Sequence, residues 1–321
     1  MRLDQAALRH LTNSKNFREP TGAKWSCINF SNNGDQLVAA CTDDTIVVID
    51  MISATKTRSL NSKKYGVGLV AFSRDTSKVV HTSTKVDNTI RFLELAGNKY
   101  LRYFQGHNDK VTTLAMSPAD DRFLSISDDR TMRLWDTRSN NCQGLMHLTS
   151  SAVANFDPDG LIFGAGMNNE TIKLYDMRSF DKGPFTTMPP VHTPAHPTYN
   201  WTNMKFSPCG KMILLNTDGQ HMLLVDAFCG DVLHVLRGHF NPNRLHLEGS
   251  FTTDGLFVLC GSADKMIYFW SVVTGEIVHK VQTAHEDTPH ATQFSPKYFA
   301  MVTAYKTLKL WCPDETFRKP L

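Results

Sequence analysis

The stretch Thr131-Met132-Arg133-Leu134-Trp135-Asp136 has six weaker counterparts along the chain. Each counterpart ends in two apolar or aromatic residues followed by Asp or by a residue that replaces it. Counted at this last residue, the copies lie at positions 50, 94, 136, 176, 226, 271 and 312. Neighbouring copies are therefore 40 to 50 residues apart, which indicates that a single repeated unit builds the chain.

A second signature has the same spacing. It consists of an apolar residue, a small polar residue and then a turn, and its copies start at Phe30, Phe72, Met116, Phe156, Phe206, Phe251 and Phe294. In the copies at 157–160 and 207–210, Pro stands second and Gly fourth, which suits a type I turn. Two independent signatures with one spacing argue strongly against a chance arrangement.

The residue pattern within each repeat is typical of β-strands. Short β-branched runs such as Thr45-Ile46-Val47-Val48-Ile49 alternate with turn residues, and no long amphipathic helix is evident. Four strands in each of seven repeats predict an all-β protein, a seven-bladed β-propeller that forms a single domain over residues 1–321.

The end of the chain predicts how the ring closes. Ten residues follow Trp311, among them Pro313 and Pro320, and they are poor material for a fourth strand. Residues 8–17 precede the first repeat. We expect this N-terminal segment to add the outer strand of the last blade, because the ring would otherwise expose an unpaired strand edge.

The repeats resemble WD repeats, and the third is the most complete copy, with Gly106-His107 ahead of Ser125-Ile126-Ser127-Asp128-Asp129 and Trp135. The resemblance implies a structural tetrad of His107, Ser127, Asp129 and Trp135. In that tetrad Asp orients His, His bonds Ser, and Ser bonds the indole N–H. The same residue types form hydrolase triads, but in this context we predict no catalytic residue and no enzyme.

Composition excludes several classes of function. The 34 basic and 31 acidic residues leave a net charge of +3, so we expect no direct binding to nucleic acid and no anionic membrane as a partner. No apolar run is long enough to cross a membrane, and the charged start does not resemble a secretory signal.

Metal and cofactor chemistry is not predicted either. The seven cysteines contain no C-x-x-C pair, which favours a reducing compartment. His192 and His196 are four residues apart, but Pro194 and Pro197 forbid the helix that would bring them together on one side. No glycine-rich phosphate loop is present, so we expect no cofactor and no metal.

A proline-rich insertion over about 183–200 accounts for the longest gap between repeats. It can be a stiff surface loop or a contact for a partner, and the sequence leaves both interpretations open.

Several cations fall in or near loops that share one face of a propeller. They are Lys63, Lys64, Lys85, Lys110, Arg130 and Lys265. A ring of such residues could bind a phosphorylated or otherwise anionic peptide. The alternative is scattered charge that only maintains solubility.

Two arginines follow the repeat signature at the same offset. Arg138 lies two residues after Asp136, and Arg178 lies two residues after Asp176. The pair resembles the motif by which WD-repeat receptors dock on the adaptor of the cullin 4 ubiquitin ligase. Simple pairing of each Arg with its Asp is the alternative.

A closer resemblance rests on segments such as Asn141-Cys142-Gln143-Gly144-Leu145-Met146-His147-Leu148 and Ser179-Phe180-Asp181-Lys182-Gly183-Pro184-Phe185. They are similar to the WD-repeat subunits of COMPASS histone methyltransferases. This resemblance implies a nuclear, non-enzymatic adaptor that holds the SET-domain subunit, which methylates histone lysine 4. It also implies a protein phosphatase 1 complex in transcription termination, and a link to the phosphorylated C-terminal domain of RNA polymerase II.

Overall fold

The structure is a computed structural model that describes residues 3–191 and 199–317. Within these ranges 28 strands form seven four-stranded antiparallel sheets, one for each repeat. The sheets are the blades of a seven-bladed β-propeller, as the repeat spacing predicts. We number the blades in chain order, so that β2 to β5 form blade one and β26, β27, β28 and β1 form blade seven.

The strands have the following bounds: β1 (Leu11–Arg18), β2 (Trp25–Phe30), β3 (Gln36–Cys41), β4 (Thr45–Asp50), β5 (Thr55–Asn61), β6 (Val70–Phe72), β7 (Lys78–Thr82), β8 (Ile90–Glu94), β9 (Lys99–Phe104), β10 (Val111–Met116), β11 (Arg122–Ser127), β12 (Thr131–Asp136), β13 (Cys142–His147), β14 (Ala152–Phe156), β15 (Ile162–Met167), β16 (Thr171–Asp176), β17 (Thr186–Thr187), β18 (Trp201–Phe206), β19 (Met212–Thr217), β20 (His221–Asp226), β21 (Val232–Arg237), β22 (Ser250–Phe251), β23 (Phe257–Gly261), β24 (Met266–Ser271), β25 (Ile277–Gln282), β26 (Ala291–Phe294), β27 (Met301–Ala304) and β28 (Thr307–Pro313).

The burial of each strand explains its pattern of apolar and polar residues. The middle strands are covered on both faces by neighbouring blades, so a strand such as β4 is apolar along nearly its whole length. The outer strands β9 and β13 alternate between more and less exposed residues, because one of their faces meets solvent. We call the face that carries the links between blades and the turns between second and third strands the top face, and the opposite one the bottom face.

The ring closes through the N-terminal segment. Strand β1 pairs with β28, with Leu11 opposite Pro313 and Arg18 opposite Thr307. This confirms the predicted closure. A helical turn that the sequence did not predict, α1 (Gln5–Leu8), precedes β1, and Leu8 packs in the core of blades six and seven. No described helix is long and apolar enough to cross a membrane.

The proline-rich segment is only partly described, because residues 192–198, including His192 and His196, lie outside the described ranges. Its first part does not leave the sheet. The N–H groups of Met188 and Val191 donate to the carbonyl oxygens of Ile172 (2.9 Å) and Glu170 (2.7 Å). Residues 185–191 thus run beside β16 and extend the very short β17, because the edge of β16 would otherwise keep unpaired carbonyl groups.

Candidate functional site

Blade three contains a continuous chain of buried hydrogen bonds. The indole N–H of Trp135 donates to Ser125 Oγ (2.8 Å), and Ser125 Oγ lies 2.7 Å from His107 Nε2. His107 Nδ1 lies 3.1 Å from Asp129 Oδ2. With His107 neutral and its proton on Nδ1, every one of these hydrogen bonds has one donor and one acceptor. None of the polar groups that link the four side chains is therefore left unpaired.

The electrostatics of the chain favour this protonation pattern. Burial lowers the pKa of His107, although the neighbouring Asp129 opposes the shift. Burial alone would raise the pKa of Asp129, but hydrogen bonds from Thr131, the Asn108 N–H and His107 lower it to about 2. At neutral pH a carboxylate therefore faces a neutral imidazole.

The structure corrects the identity of the serine, because Ser125 occupies the position that the sequence interpretation gave to Ser127. Ser127 Oγ instead donates to the carbonyl oxygen of Asp109 (2.9 Å) and accepts from the N–H of Asp129 (3.1 Å). The two serines are two residues apart on β11, so their side chains project from the same face. Only Ser125 lies between His107 and Trp135, whereas Ser127 ties the following turn to the link before blade three.

A serine in this environment cannot act as a nucleophile on an external substrate. Ser125 and Trp135 are both fully buried, and the serine oxygen already accepts the indole N–H. The chain has the connectivity of a hydrolase triad without the access that such a site requires. The arrangement supports a structural role for these residues.

Blade seven has a shorter chain that the sequence interpretation missed. His285 Nε2 lies 2.8 Å from Thr303 Oγ1, which also accepts the indole N–H of Trp311 at 3.0 Å. Burial lowers the pKa of His285 to about 4. The available signal was the spacing, because His precedes the hydroxyl residue by 18 positions in both blades.

Blade six, in contrast, does not form this chain. Cys260 stands at the strand position of Ser125, and the indole N–H of Trp270 donates to the carbonyl oxygen of Arg237 at 2.8 Å. His239 Nδ1 has no hydrogen-bond partner within the described ranges. The Gly238-His239 pair therefore gives the sequence pattern of a tetrad without its hydrogen bonds.

The central channel holds a cavity of about 610 Å³ between the inner strands of all seven blades. Its charged groups satisfy one another. Glu248 Oε1 accepts from Lys205 Nζ at 2.5 Å and from the Gln293 amide at 2.7 Å. Because Lys205 and Glu248 neutralise each other, the channel offers less unpaired charge to an ionic ligand than the exposed loops of the top face.

The six predicted top-face cations do not form one ring. Lys63 and Lys64 lie in the link from blade one to blade two, and Lys85 lies in the neighbouring turn of blade two. Lys110 and Arg130 belong to blade three, where the N–H of Asp128 donates to the carbonyl oxygen of Lys110 at 2.9 Å. These five residues follow one arc of the top face.

Lys265 is separate from this arc, because it lies in blade six, three blades away from both blade two and blade three. Its left-handed backbone, with φ of 66°, matches that of Arg130, with φ of 59°. The two residues occupy equivalent turns on different sides of the ring.

Lys85 is ion-paired with Asp44 of blade one, which the sequence could not show. Arg91 was also missed. It is almost fully buried, its guanidinium lies 3.7 Å over the ring of Tyr65, and it bonds both carboxylate oxygens of Asp87 at 2.9 Å. The available signal for the second pair was the spacing of Asp87 and Arg91, which are four residues apart.

Arg138 and Arg178 both lie on the bottom face but differ in their contacts. The guanidinium of Arg138 bonds the carboxylate of Asp136 at 2.6 Å, although the side chain remains 72% exposed. Arg178 is exposed, and its backbone N–H bonds Asp176 at 2.7 Å. A carboxylate therefore already engages the guanidinium of Arg138.

No cluster of three His, Cys, Asp or Glu side chains suited to a metal occurs in the described ranges.

Comparisons with known proteins place these observations in a family. The model of the WD domain, G-beta repeat, matches residues 13–50, 98–136 and 230–271. WD repeat-containing protein 82 of Drosophila melanogaster is 45% identical over 313 residues, which is 98% of each chain.

Two fungal relatives are also similar. The Set1 complex component swd2 of Schizosaccharomyces pombe is 44% identical over 207 residues, 64% of this chain and 57% of that protein. The COMPASS component SWD2 of Saccharomyces cerevisiae is 33% identical over 303 residues, 90% of each chain. The chain described here belongs to the family of WD-repeat proteins that includes WD repeat-containing protein 82.

Proposed function

We propose that this chain is a non-enzymatic, nuclear scaffold subunit of a COMPASS-type histone lysine-4 methyltransferase complex. The observation that carries the proposal is similarity to a protein named as a COMPASS component, over 90% of this chain, and to one named as a Set1 complex component, over 64% of it. Its principal partner is then the SET-domain methyltransferase subunit.

The architecture suits a scaffold. Strand β1 ties the two ends of the chain together, and the hydrogen-bonded chains of blades three and seven fix buried side chains in place. A rigid ring presents loops from seven blades in defined positions, so partners bind a preformed surface. The sealed environment of Ser125 supports a role without catalysis.

We extend the proposal to two further links. One is membership of a protein phosphatase 1 complex in transcription termination. The other is binding to the phosphorylated C-terminal domain of RNA polymerase II through the cations of the top face. Support for the second link comes from Lys63, Lys64, Lys110 and Arg130, which are exposed on one arc.

The decisive experiment is tagged purification of the full chain from nuclear extract, followed by quantitative mass spectrometry. We expect the SET-domain subunit near one copy per chain, with phosphatase and termination factors in addition. Recovery of the phosphatase branch alone would remove the methyltransferase part of the proposal. Recovery of no nuclear protein would overturn all of it.

A substrate receptor of a cullin 4 ubiquitin ligase is the alternative, supported by the exposure of Arg138 and Arg178 at equivalent bottom-face turns. In that case the double variant Arg138→Ala and Arg178→Ala should abolish recovery of the ligase adaptor. The top-face variant Lys265→Ala is a suitable control, because it removes one exposed cation from the opposite face. An unchanged adaptor yield from the double variant would reject the alternative.

A further inference from the structure

Three loops from blades one and two are joined into a single surface, which we call the top-face ridge and define as Asp44, residues 62–66 and residues 84–87. The N–H of Ser62 donates to the carbonyl oxygen of Asp44 at 2.9 Å. The carbonyl oxygen of Tyr65 accepts from the N–H groups of Thr84 at 3.0 Å and Lys85 at 2.9 Å. Because the backbones hold one another, the ridge is preorganised before any ligand arrives.

Close packing of the ridge depends on Gly66. This residue has φ of +75°, and a Cβ added there would lie 2.0 Å from Thr84 Oγ1. Any side chain would therefore push the link away from the turn of blade two. The approach places the side chain of Lys85 beside the link that carries Lys63 and Lys64.

The charge on the ridge is incompletely balanced. Lys63 and Lys64 are exposed, and no carboxylate of the described ranges forms an ion pair with either of them. The ammonium of Lys64 lies 5.1 Å from the centre of the Tyr65 ring. The third cation, Lys85, is half exposed, and its ammonium contacts the mostly buried carboxylate of Asp44.

The residues behind the cations are fixed. Arg91 covers one face of Tyr65 at 3.7 Å, and the bidentate contact with Asp87 holds Arg91 in turn. Tyr65 also packs against Tyr100 with their ring centres 5.6 Å apart. The backbone that carries Lys64 is therefore held next to that of Lys85 by the packing of Tyr65 as well as by backbone hydrogen bonds.

Val86 places an exposed apolar side chain at the edge of the top-face ridge. It is 79% exposed and has φ of 68°, a left-handed conformation that is unfavourable for a β-branched residue. Lys85 and Asp87 on either side are held by Asp44 and Arg91, which keeps Val86 projecting outward. Backbone strain that neighbours maintain is a common feature of binding sites.

We propose that the top-face ridge is a phosphopeptide subsite in which Lys63, Lys64 and Lys85 bind one phosphoryl group and Val86 packs against an apolar residue of the peptide. Asp44 is an internal competitor that the phosphoryl group displaces from Lys85. A dianionic phosphate carries more charge and more acceptor oxygens than a carboxylate, so the exchange is favourable. This inference rests on the proposed link to the phosphorylated C-terminal domain.

The surroundings favour a single phosphate over a long polyanion. Asp43, Asp44 and Asp87 flank the three lysines. A nucleic acid would bring successive phosphates against these carboxylates, whereas a singly phosphorylated peptide places its charge on the lysines and its apolar residues on Val86.

The test is fluorescence anisotropy with the full chain. The probes are a labelled peptide from the C-terminal domain of RNA polymerase II that carries phosphoserine, and the same peptide without phosphate. For the double variant Lys63→Glu and Lys64→Glu we expect affinity for the phosphopeptide to fall on the order of tenfold or more. We expect Asp44→Asn to raise it about threefold to tenfold, because Lys85 loses its competitor.

Asn is a suitable replacement for Asp44, since it tolerates the φ of 67° at this position. The matched control is Lys265→Glu, which reverses one charge on the same face but in blade six. Its affinity should stay within about twofold of the wild type, because at this distance exposed charges are largely screened. Melting curves of all variants verify that the ring is intact.

The possible results separate the two proposals. A preference of the wild type for the phosphopeptide, lost in the lysine variant and strengthened in Asp44→Asn, supports the ridge. The same preference with unchanged affinity in both ridge variants overturns the ridge and leaves the proposed function standing. Equal binding of both peptides, or tighter binding of an RNA oligonucleotide, overturns the ridge as a phosphopeptide subsite. Recovery of the methyltransferase from extract then still supports the scaffold.

Discussion

Blade two and blade three are neighbours in the ring, and they treat their buried polar groups in opposite ways. Blade three joins His107, Ser125 and Trp135 in one chain with every link paired. Blade two has His81 at the strand position of Ser125, and its Nε2 atom has no partner within the described ranges. Arg91 is also buried, and its Nε atom has no partner there.

The difference separates stability from recognition. Where the repeat pattern is complete, the buried His, Ser and Trp side chains bond one another inside the blade. In blade two, where the pattern is lost, the buried Arg91 contacts Tyr65 and Asp87 instead. These two residues belong to the top-face ridge, so Arg91 supports that surface from below. Departures from the repeat are thus the positions to inspect for function.

The largest expected effect comes from breaking the chain of blade three at its aromatic end. Trp135→Ala should lower the free energy of unfolding by about 3–5 kcal/mol, because it opens a cavity and leaves Ser125 without the indole N–H. Urea denaturation followed by circular dichroism measures the loss. Phe185→Ala, at a side chain that is 57% exposed, is the control. Equal midpoints for the two variants would show that blade three is not specially stabilised.

The second effect concerns acid and the buried His81 of blade two, whose Nδ1 atom lies 3.3 Å from the carbonyl oxygen of Thr82 and whose Nε2 atom has no partner within the described ranges. Burial lowers the pKa of His81 to about 4, whereas an unfolded histidine titrates near 6.5. Between these values the unfolded chain binds a proton that the folded chain does not. His81 therefore lowers stability as the pH falls from about 6.5 to about 4, by roughly 2–3 kcal/mol.

His81→Leu removes this titration, so its stability should depend less on pH than that of the wild type in this window. Denaturation midpoints at pH 7 and pH 4.5 measure the dependence in both proteins. His285→Leu is an informative companion variant, because the Nε2 atom of His285 has a side-chain partner in Thr303, whereas the pKa of His285 is similarly low. Parallel curves for His81→Leu and the wild type would contradict the assignment of a neutral, buried His81.

A smaller effect tests the corrected serine. Ser125→Ala should cost about 1–3 kcal/mol of unfolding free energy, since it leaves the Trp135 N–H and the His107 Nε2 atom without partners. Ser127→Ala, two residues along the same strand, should cost about 1 kcal/mol or less, because its partners are backbone groups near the surface turn. The pair is compared by thermal and urea denaturation. A larger loss from Ser127→Ala would restore the original assignment.

The sequence predicts most of the fold for a definite physical reason. The repeat spacing and the turn signatures are properties of the covalent chain, and the prolines near residue 313 limit what the C-terminal segment can form. Closure through β1 follows from these two facts. The serine of blade three was misassigned because Ser125 and Ser127 share one face of β11, and only the three-dimensional reach of His107 separates them.

Other features were hidden for different reasons. The chain in blade seven uses Thr303 in place of Ser and lacks a glycine before His285, so the familiar pattern is absent. The ion pair of Asp44 and Lys85 joins residues 41 positions apart in different blades. Nothing in the local sequence indicates that these two side chains meet. The ridge can therefore be recognised only from the three-dimensional arrangement of the blades.

The smallest effect sharpens the comparison at equivalent turns of the two blades. Val86 in blade two and Arg130 in blade three both have left-handed backbones, with φ of 68° and 59°. Val86→Asn should raise the free energy of unfolding by about 1 kcal/mol, because Asn tolerates this conformation and Val does not. Arg130→Asn should gain only a few tenths of a kcal/mol, since an unbranched side chain is strained less.

Thermal denaturation measures these two gains, and phosphopeptide anisotropy measures the accompanying change in binding. If strain at Val86 is retained for recognition, Val86→Asn becomes more stable and binds the phosphopeptide more weakly, whereas Arg130→Asn shows no such opposition. Opposite signs in stability and affinity are difficult to obtain from a residue that only supports the fold, because loss of structure would lower both. A Val86→Asn variant that gains stability and keeps full affinity would show that the exposed valine has no part in the ridge.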